Sequence, residues 1–147
     1  MDIIKILFVC HGNICRSPMA EFIMKDITKN QNHYYIESCA TSYEEIGNDI
    51  YYEAKKVLDK HHIPYQSRRA RHISYSDIDK FDYIIGMDQE NIDDLNYLFP
   101  NSNKIYKLLE FCGKNRDVID PWYSRRFEDC YNDLIEGCNA LYKYLEK

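Results

Sequence analysis

The chain has 147 residues, of which 45% are hydrophobic and 29% are charged, and its formal net charge is -5 at pH 7. This length supports one hydrophobic core and is too short for two ordinary domains, so residues 1–147 are predicted to form a single domain. The negative charge argues against nucleic-acid binding, and no apolar run approaches the length of a membrane span or a signal peptide. We therefore expect a cytoplasmic protein without a membrane or nucleic-acid partner.

Apolar runs and helix-like segments alternate along the chain. The first run, residues 3–9, is nearly continuous and rich in β-branched residues, which is typical of a buried strand in a parallel sheet. The alternation predicts an α/β fold with helices on both faces of the sheet and ligand-binding loops at the carboxyl ends of the strands. The predicted strands are 3–9, 34–38, 83–86 and 105–106, and the predicted helices are 18–29, 51–61, 89–99 and 127–145.

The loop after the first strand carries a cysteine and an arginine six residues apart. It reads Cys-His-Gly-Asn-Ile-Cys-Arg-Ser over residues 10–17. In a strand-loop-helix of this kind the backbone N–H groups and the helix dipole favour a dianion such as phosphate. This positive setting favours the thiolate form of Cys10, and the planar guanidinium of Arg16 can bind two phosphoryl oxygens. The pattern predicts a phosphate cradle with its own nucleophile.

Neighbouring residues strengthen this interpretation. Gly12 can adopt the backbone angles of a tight anion loop, Asn13 tolerates the left-handed region, and Ser17 can donate a hydrogen bond to the thiolate. Ser17 is also the expected N-cap of the following helix, with Pro18 at its first position and Glu21 in its first turn. The alternative is an ordinary buried thiol beside a solvated arginine.

A general acid is expected in the segment Asp120-Pro121-Trp122-Tyr123. The proline fixes an extended or turn backbone, so that Asp120 is predicted to lie on a loop. Trp122 and Tyr123 can form a wall that stacks on an aromatic substrate and excludes water around the carboxyl group. The alternative is an Asp-Pro turn with aromatic residues packed in the core.

These segments resemble the low-molecular-weight protein tyrosine phosphatases. The family signature V-C-x-G-N-I-C-R-S-P is present at residues 9–18, its D-P-aromatic-aromatic motif at 120–123, and further matches lie at 38–42, 70–71 and 87–91. The resemblance implies a flavodoxin-like, three-layer α/β/α fold with four parallel strands in the order 2-1-3-4. It also implies an enzyme without metal or cofactor, which hydrolyses phosphotyrosine in proteins or peptides through a cysteinyl-phosphate intermediate.

Carried over by position, the resemblance makes Cys10 the nucleophile, Arg16 the transition-state clamp and Asp120 the general acid and then the base. It implies a reversible disulfide between Cys10 and Cys15, and a monomer or weak homodimer. The substrate-binding residues that it implies are His11, Gly12, Asn13, Ile14, Cys15, Ser17, Tyr43, Trp122 and Tyr123.

Several positions depart from the family pattern, among them Cys39 and Ala40, which stand where Ala and Gly are usual. Tyr43 is expected to replace the ring that many members place as one wall of the cleft, with two glutamates beside it. Arg68 stands where several members have a histidine that is hydrogen-bonded to the phosphate loop, residues 10–17. The sequence therefore leaves open which side chain supports Asn13 and Ser17.

Three alternative functions are considered. A thioredoxin-coupled arsenate reductase shares the fold but uses two further cysteines after the third strand, and residues 83–98 contain none. A P-loop nucleotidase requires a Gly-Lys-Ser/Thr step that the loop lacks. A catalytically inactive phosphotyrosine-binding module would keep the cradle but lose the catalytic side chains, which are present here.

Overall fold

Four parallel strands form the sheet that carries the phosphate loop. The computed structural model describes residues 2–147. The strands are β1 (Ile4–Cys10), β2 (Tyr34–Ala40), β3 (Tyr83–Gly86) and β4 (Ile105–Lys107). Their order is β2-β1-β3-β4 and all neighbours are parallel, which confirms the predicted order 2-1-3-4. The strand that ends at Cys10 therefore lies inside the sheet.

Strand β1 is buried on both faces, as its apolar run predicts. Ile6 and Phe8 pack into one hydrophobic cluster, whereas Leu7 and Val9 pack into a second cluster on the opposite face. This alternation follows from the two-residue period of a strand. Since both neighbours of β1 hold its backbone, the end of the strand is a rigid platform for the loop that follows.

Helices cover both faces of the sheet. The larger cluster joins β1 to the first and last helices, and the smaller cluster joins it to residues near the third and fourth helices. Within the described residues, none of the helices combines the length and apolar character that a membrane span requires. The helices are α1 (Arg16–Ile27), α2 (Tyr52–Lys60), α3 (Asp77–Lys80), α4 (Gln89–Leu98), α5 (Pro121–Ser124) and α6 (Phe127–Leu145), with a 3₁₀-helix at Leu108–Cys112.

The start of α1 corrects one prediction. Its N-cap is Cys15, not Ser17, so that Pro18 is the third helical residue and the first turn contains no acidic residue. The Ser17 hydroxyl is fully buried and bonds within the phosphate loop, so it cannot cap the helix. Glu21 lies in the second turn, where it accepts hydrogen bonds from Lys25 and Ser38.

The other predicted strands and helices are present, with ends that differ by at most two residues. The short helices α3 and α5 and the 3₁₀-helix were not predicted, because one turn leaves no periodic signal. Asp120, predicted on a loop, is the N-cap of α5 and accepts a hydrogen bond from the backbone N–H of Trp122.

Candidate active site

The thiol of Cys10 lies at the base of the loop, at the carboxyl end of β1. The residue is 3% exposed. Its Sγ is 3.0 Å from Ser17 Oγ, and it accepts a hydrogen bond from the backbone N–H of Asn13 at 3.3 Å. Both contacts bring a group that can donate a hydrogen bond, a hydroxyl and an amide, next to the sulfur.

Asn13 organises the loop from beneath. Its φ of 62° places it in the left-handed region. The sequence predicts unusual backbone angles for both Gly12 and Asn13. Gly12 fits this position for a different reason, because a Cβ there would be crowded at 3.3 Å from Cγ of Glu45. The tight turn therefore depends on an asparagine, which tolerates a positive φ better than most residues.

The Asn13 side chain connects the loop to two neighbouring segments. Its Nδ2 donates to Ser17 Oγ at 2.7 Å and to Ser38 Oγ at 2.9 Å. Its Oδ1 accepts from the Arg68 guanidinium and from the backbone N–H of Arg71, the latter at 3.3 Å. Arg68 thus contacts Asn13 directly. The Nδ2 group of the same Asn13 side chain holds the Ser17 hydroxyl next to the Cys10 sulfur.

Arg16 begins α1 and is almost completely buried beside two carboxylates. Its Nη1 donates to Asp88 Oδ2 at 2.8 Å, and its Nη2 donates to Asp120 Oδ2 at 3.4 Å. Burial alone would lower the pKa of Arg16, but the negative charges of Cys10, Asp120 and Asp88 outweigh burial and raise the pKa. The guanidinium is therefore a permanent cation in the loop.

Asp120 faces the same loop from α5. One carboxylate oxygen approaches Arg16, and the other accepts a hydrogen bond from the backbone N–H of Trp122 at 3.0 Å. Trp122 and Tyr123 follow it with 44% and 83% of their surfaces exposed. The carboxylate is thus fixed at the edge of the phosphate loop while the two rings remain available at the mouth.

A cavity of about 100 Å³ lies between the loop and α5. It brings together every predicted site residue except Ser17, which lies beneath Cys10, and Tyr43. The Tyr43 ring instead stacks on His72, with 3.8 Å between ring centroids, so that Glu44 and Glu45 form this wall. The lining residues are Cys10, His11, Gly12, Asn13, Ile14, Cys15, Arg16, Glu44, Glu45, Asp120, Trp122 and Tyr123.

Comparison with known proteins agrees with this geometry. The model of the low molecular weight phosphotyrosine protein phosphatase family matches residues 5–147. The chain belongs to this family. The low molecular weight protein-tyrosine-phosphatase PtpA of Staphylococcus aureus is 38% identical, over 98% of this chain and 95% of that protein. As a member of this family, the chain is an enzyme of the protein tyrosine phosphatase class.

Solved structures show the same fold. YfkJ from Bacillus subtilis superimposes with a TM-score of 0.95 at 35% identity, over 99% of this chain and 96% of that one. The low molecular weight protein tyrosine phosphatase SP-PTP from Streptococcus pyogenes has a TM-score of 0.88 at 40% identity, over 98% of both chains. The low-molecular-weight phosphatase fold therefore extends over nearly all of the chain.

Asp88 is a further residue of the site, and it was not predicted from the sequence. Asp88 follows β3, caps α4 by accepting from the backbone N–H of Asn91 at 2.8 Å, and also binds Arg16. Its position at the carboxyl end of a strand beside β1 was a usable signal, because that edge of the sheet carries the functional loops.

Cys15 lines the cavity as a neutral thiol. Burial, followed by the charges of Cys10 and Asp120, raises its pKa far above the usual range of a cysteine. All six cysteines are free. Within residues 2–147, no group of three or more His, Cys, Asp or Glu side chains is arranged to hold a metal ion.

Proposed function

We propose that this enzyme hydrolyses phosphotyrosine in proteins or peptides through a cysteinyl-phosphate intermediate on Cys10. The observation that carries the proposal is the convergence of Cys10, Arg16 and Asp120 on one cavity. A nucleophile, a permanent cation and a carboxyl group are the three elements that phosphoryl transfer to a thiolate needs.

In the first step the Cys10 sulfur attacks phosphorus, and the bond between phosphorus and the tyrosyl oxygen breaks. Asp120 enters this step as the protonated acid and gives its proton to that oxygen, so that a neutral phenol leaves. Arg16 and the backbone N–H groups of the loop bind the equatorial phosphoryl oxygens, on which charge accumulates. Arg16 lines the cavity and is held there by its hydrogen bonds to Asp88 and Asp120.

In the second step a water molecule attacks phosphorus and the bond between sulfur and phosphorus breaks. Asp120, now a carboxylate, takes the proton from this water, and inorganic phosphate is released. The Cys10 sulfur leaves as a thiolate. The Ser17 hydroxyl, 3.0 Å from this sulfur, stabilises the charge that returns to it.

The exposed rings at the mouth favour an aromatic substrate. Trp122 and Tyr123 border the cavity next to Asp120, where the phenyl ring of a phosphotyrosine would stand when its phosphate occupies the loop. Stacking on such rings adds about 0.5–1.5 kcal/mol beyond the buried area. A phosphoserine side chain has no ring and therefore lacks this stacking on Trp122 and Tyr123.

We also propose that the enzyme works in the cytoplasm as a monomer or weak homodimer, without a nucleic-acid partner. The six free thiols favour a reducing compartment, and the net charge of -5 opposes binding to a polyanion.

The test is hydrolysis of p-nitrophenyl phosphate and of a phosphotyrosine peptide in EDTA across pH, by the wild type, Cys10→Ser and Asp120→Ala. We expect Cys10→Ser to abolish turnover and Asp120→Ala to lower it by roughly 10² to 10⁴. A phosphoserine peptide should be a poor substrate. Binding of the phosphotyrosine peptide without wild-type turnover would identify a binding module instead, and arsenate reduction without phosphatase activity would identify a reductase.

A further inference from the structure

We propose that Tyr51, locked by Arg125, is the positioning residue that sets Asp120 at its working distance from the phosphate loop. This inference rests on the proposed role of Asp120 as general acid. Tyr51 is half-buried immediately before α2 and does not line the cavity. It acts on the reaction only through the segments that it joins.

The backbone of Tyr51 is attached to the phosphate loop. Its N–H donates to the carbonyl oxygen of Ile14 at 2.9 Å. Ile14 lies between Asn13 and Cys15 in the middle of the loop, so the start of α2 moves with the loop. Because this bond uses the backbone, it survives any substitution of the Tyr51 side chain except proline.

The side chain of Tyr51 is attached to the segment that carries the acid. Its ring meets the Trp122 ring edge-on, with 5.0 Å between centroids, and stacks on Phe127 at 5.9 Å. Its hydroxyl accepts a hydrogen bond from Arg125 Nη2 at 3.0 Å, and the guanidinium also lies over the rings of Tyr51 and Phe127. Tyr51 thus holds α5 from both of its ends.

The short helix transmits this hold to the carboxylate. Asp120 Oδ1 accepts from the backbone N–H of Trp122, and the Asp120 carbonyl accepts from Ser124 Oγ at 3.0 Å. Arg125 ends the helix in the left-handed conformation, with φ of 60°, and its N–H donates to the Pro121 carbonyl at 2.9 Å. A four-residue helix is too short to be rigid alone, so its position depends on these anchors.

The chemistry makes this position critical. A general acid must lie within hydrogen-bond reach of the leaving oxygen, and a displacement of about 1 Å can lower the rate by 10²-fold. Loss of the Tyr51 contacts should leave Cys10 and Arg16 in place, because their own hydrogen bonds do not involve Tyr51. Only proton donation should suffer.

The test compares kcat/KM for two substrates, p-nitrophenyl phosphate and phenyl phosphate. Phenol is a more basic leaving group than p-nitrophenol, so it depends more strongly on a proton from Asp120. We expect Tyr51→Ala to lose about tenfold more kcat/KM on phenyl phosphate than on p-nitrophenyl phosphate. Tyr51→Phe removes only the hydrogen bond, and Arg125→Gln removes it together with the guanidinium that lies over the two rings. Both variants should show the same bias at about threefold.

A second readout examines the nucleophile by itself. The rate at which iodoacetate alkylates Cys10 should follow the wild-type pH profile in Tyr51→Ala, because the phosphate loop is unchanged. Tyr97→Ala is the matched control: Tyr97 is 86% exposed on α4, so both substrates should retain wild-type kcat/KM. If Tyr51→Ala does not fold, Tyr51→Phe and Arg125→Gln decide the question, since they preserve the ring packing.

Asp120→Ala, measured in the same series, distinguishes failure of the positioning role of Tyr51 from failure of the acid role of Asp120. We call a larger loss of kcat/KM on phenyl phosphate than on p-nitrophenyl phosphate a leaving-group bias. A leaving-group bias in Asp120→Ala together with equal losses, or no loss, on both substrates in Tyr51→Phe and Arg125→Gln would overturn the positioning role alone. No bias in Asp120→Ala would refute the acid role and the positioning role together. A bias in all four variants, with unchanged alkylation of Cys10, is the expected result.

Discussion

Replacement of Asn13 by alanine is the most informative test of the phosphate loop. The side chain is fully buried and bonds to Ser17, Ser38, Arg68 and the backbone of Arg71. Alanine removes these bonds and places a residue that disfavours positive φ at a φ of 62°. Both changes destabilise the folded state, and they can be separated.

The size of the effect follows from the contacts. Each buried hydrogen bond contributes about 1 kcal/mol to stability, so the four bonds of Asn13 amount to about 4 kcal/mol. The left-handed backbone adds about 1 kcal/mol. Together the two terms amount to about 5 kcal/mol, which in a domain of this size corresponds to a fall in Tm of roughly 10–20 °C.

The matched control is Asn101→Ala, measured by thermal and denaturant unfolding. Asn101 also has a positive φ, of 67°, but it is exposed, and in the described part of the chain its side chain makes no hydrogen bond. Asn101→Ala should therefore cost only about 1 kcal/mol. If the free energies of unfolding of the two variants fall equally, to within about 1 kcal/mol, the hydrogen bonds of Asn13 do not hold the loop.

Three further outcomes are expected. Gly137→Ala would place a Cβ 2.6 Å from Leu108 Cγ, so overpacking should lower stability by about 1–3 kcal/mol; an unchanged denaturant midpoint would contradict this packing. Peroxide should oxidise Cys10 to a sulfenic acid, which condenses with the Cys15 thiol to a disulfide and water; a thiol reductant then restores activity, and full recovery in Cys15→Ser would refute the pairing. Glu44→Gln removes a negative charge from the cavity wall and should lower KM for p-nitrophenyl phosphate about twofold at low salt only, whereas an unchanged KM would show that this charge does not act on the substrate.

The phosphate loop could be predicted from sequence because its determinants are local. A buried strand, a tight loop and a helix start lie within residues 4–18, and each has its own signal. The position of Asp120 beside this loop could not be derived from spacing alone, since it depends on contacts with Arg16 and Trp122. The family resemblance supplied that link.

Two predictions were wrong because another group in the folded protein binds the side chain in question. Ser17 has the chemistry of an N-cap, but Cys10 and Asn13 use its hydroxyl. Tyr43 has the chemistry of a cleft wall, but the neighbouring His72 offers a stacking surface outside the cavity. Sequence identifies what a side chain can do, whereas the folded structure decides which of the available partners it contacts.

The most direct test of the account is to detect the covalent intermediate. Wild-type enzyme turning over p-nitrophenyl phosphate is quenched within its first turnovers in denaturant at alkaline pH, where the bond between sulfur and phosphorus persists. It is then digested and examined by mass spectrometry, with Cys10→Ser treated identically. If Cys10 is the nucleophile, the peptide that contains Cys10 carries one phosphoryl group in the wild type, and the same peptide carries none in Cys10→Ser. Release of p-nitrophenol by the wild type, with a bare Cys10 peptide at every quench time, would contradict this role of Cys10 and indicate direct attack by water.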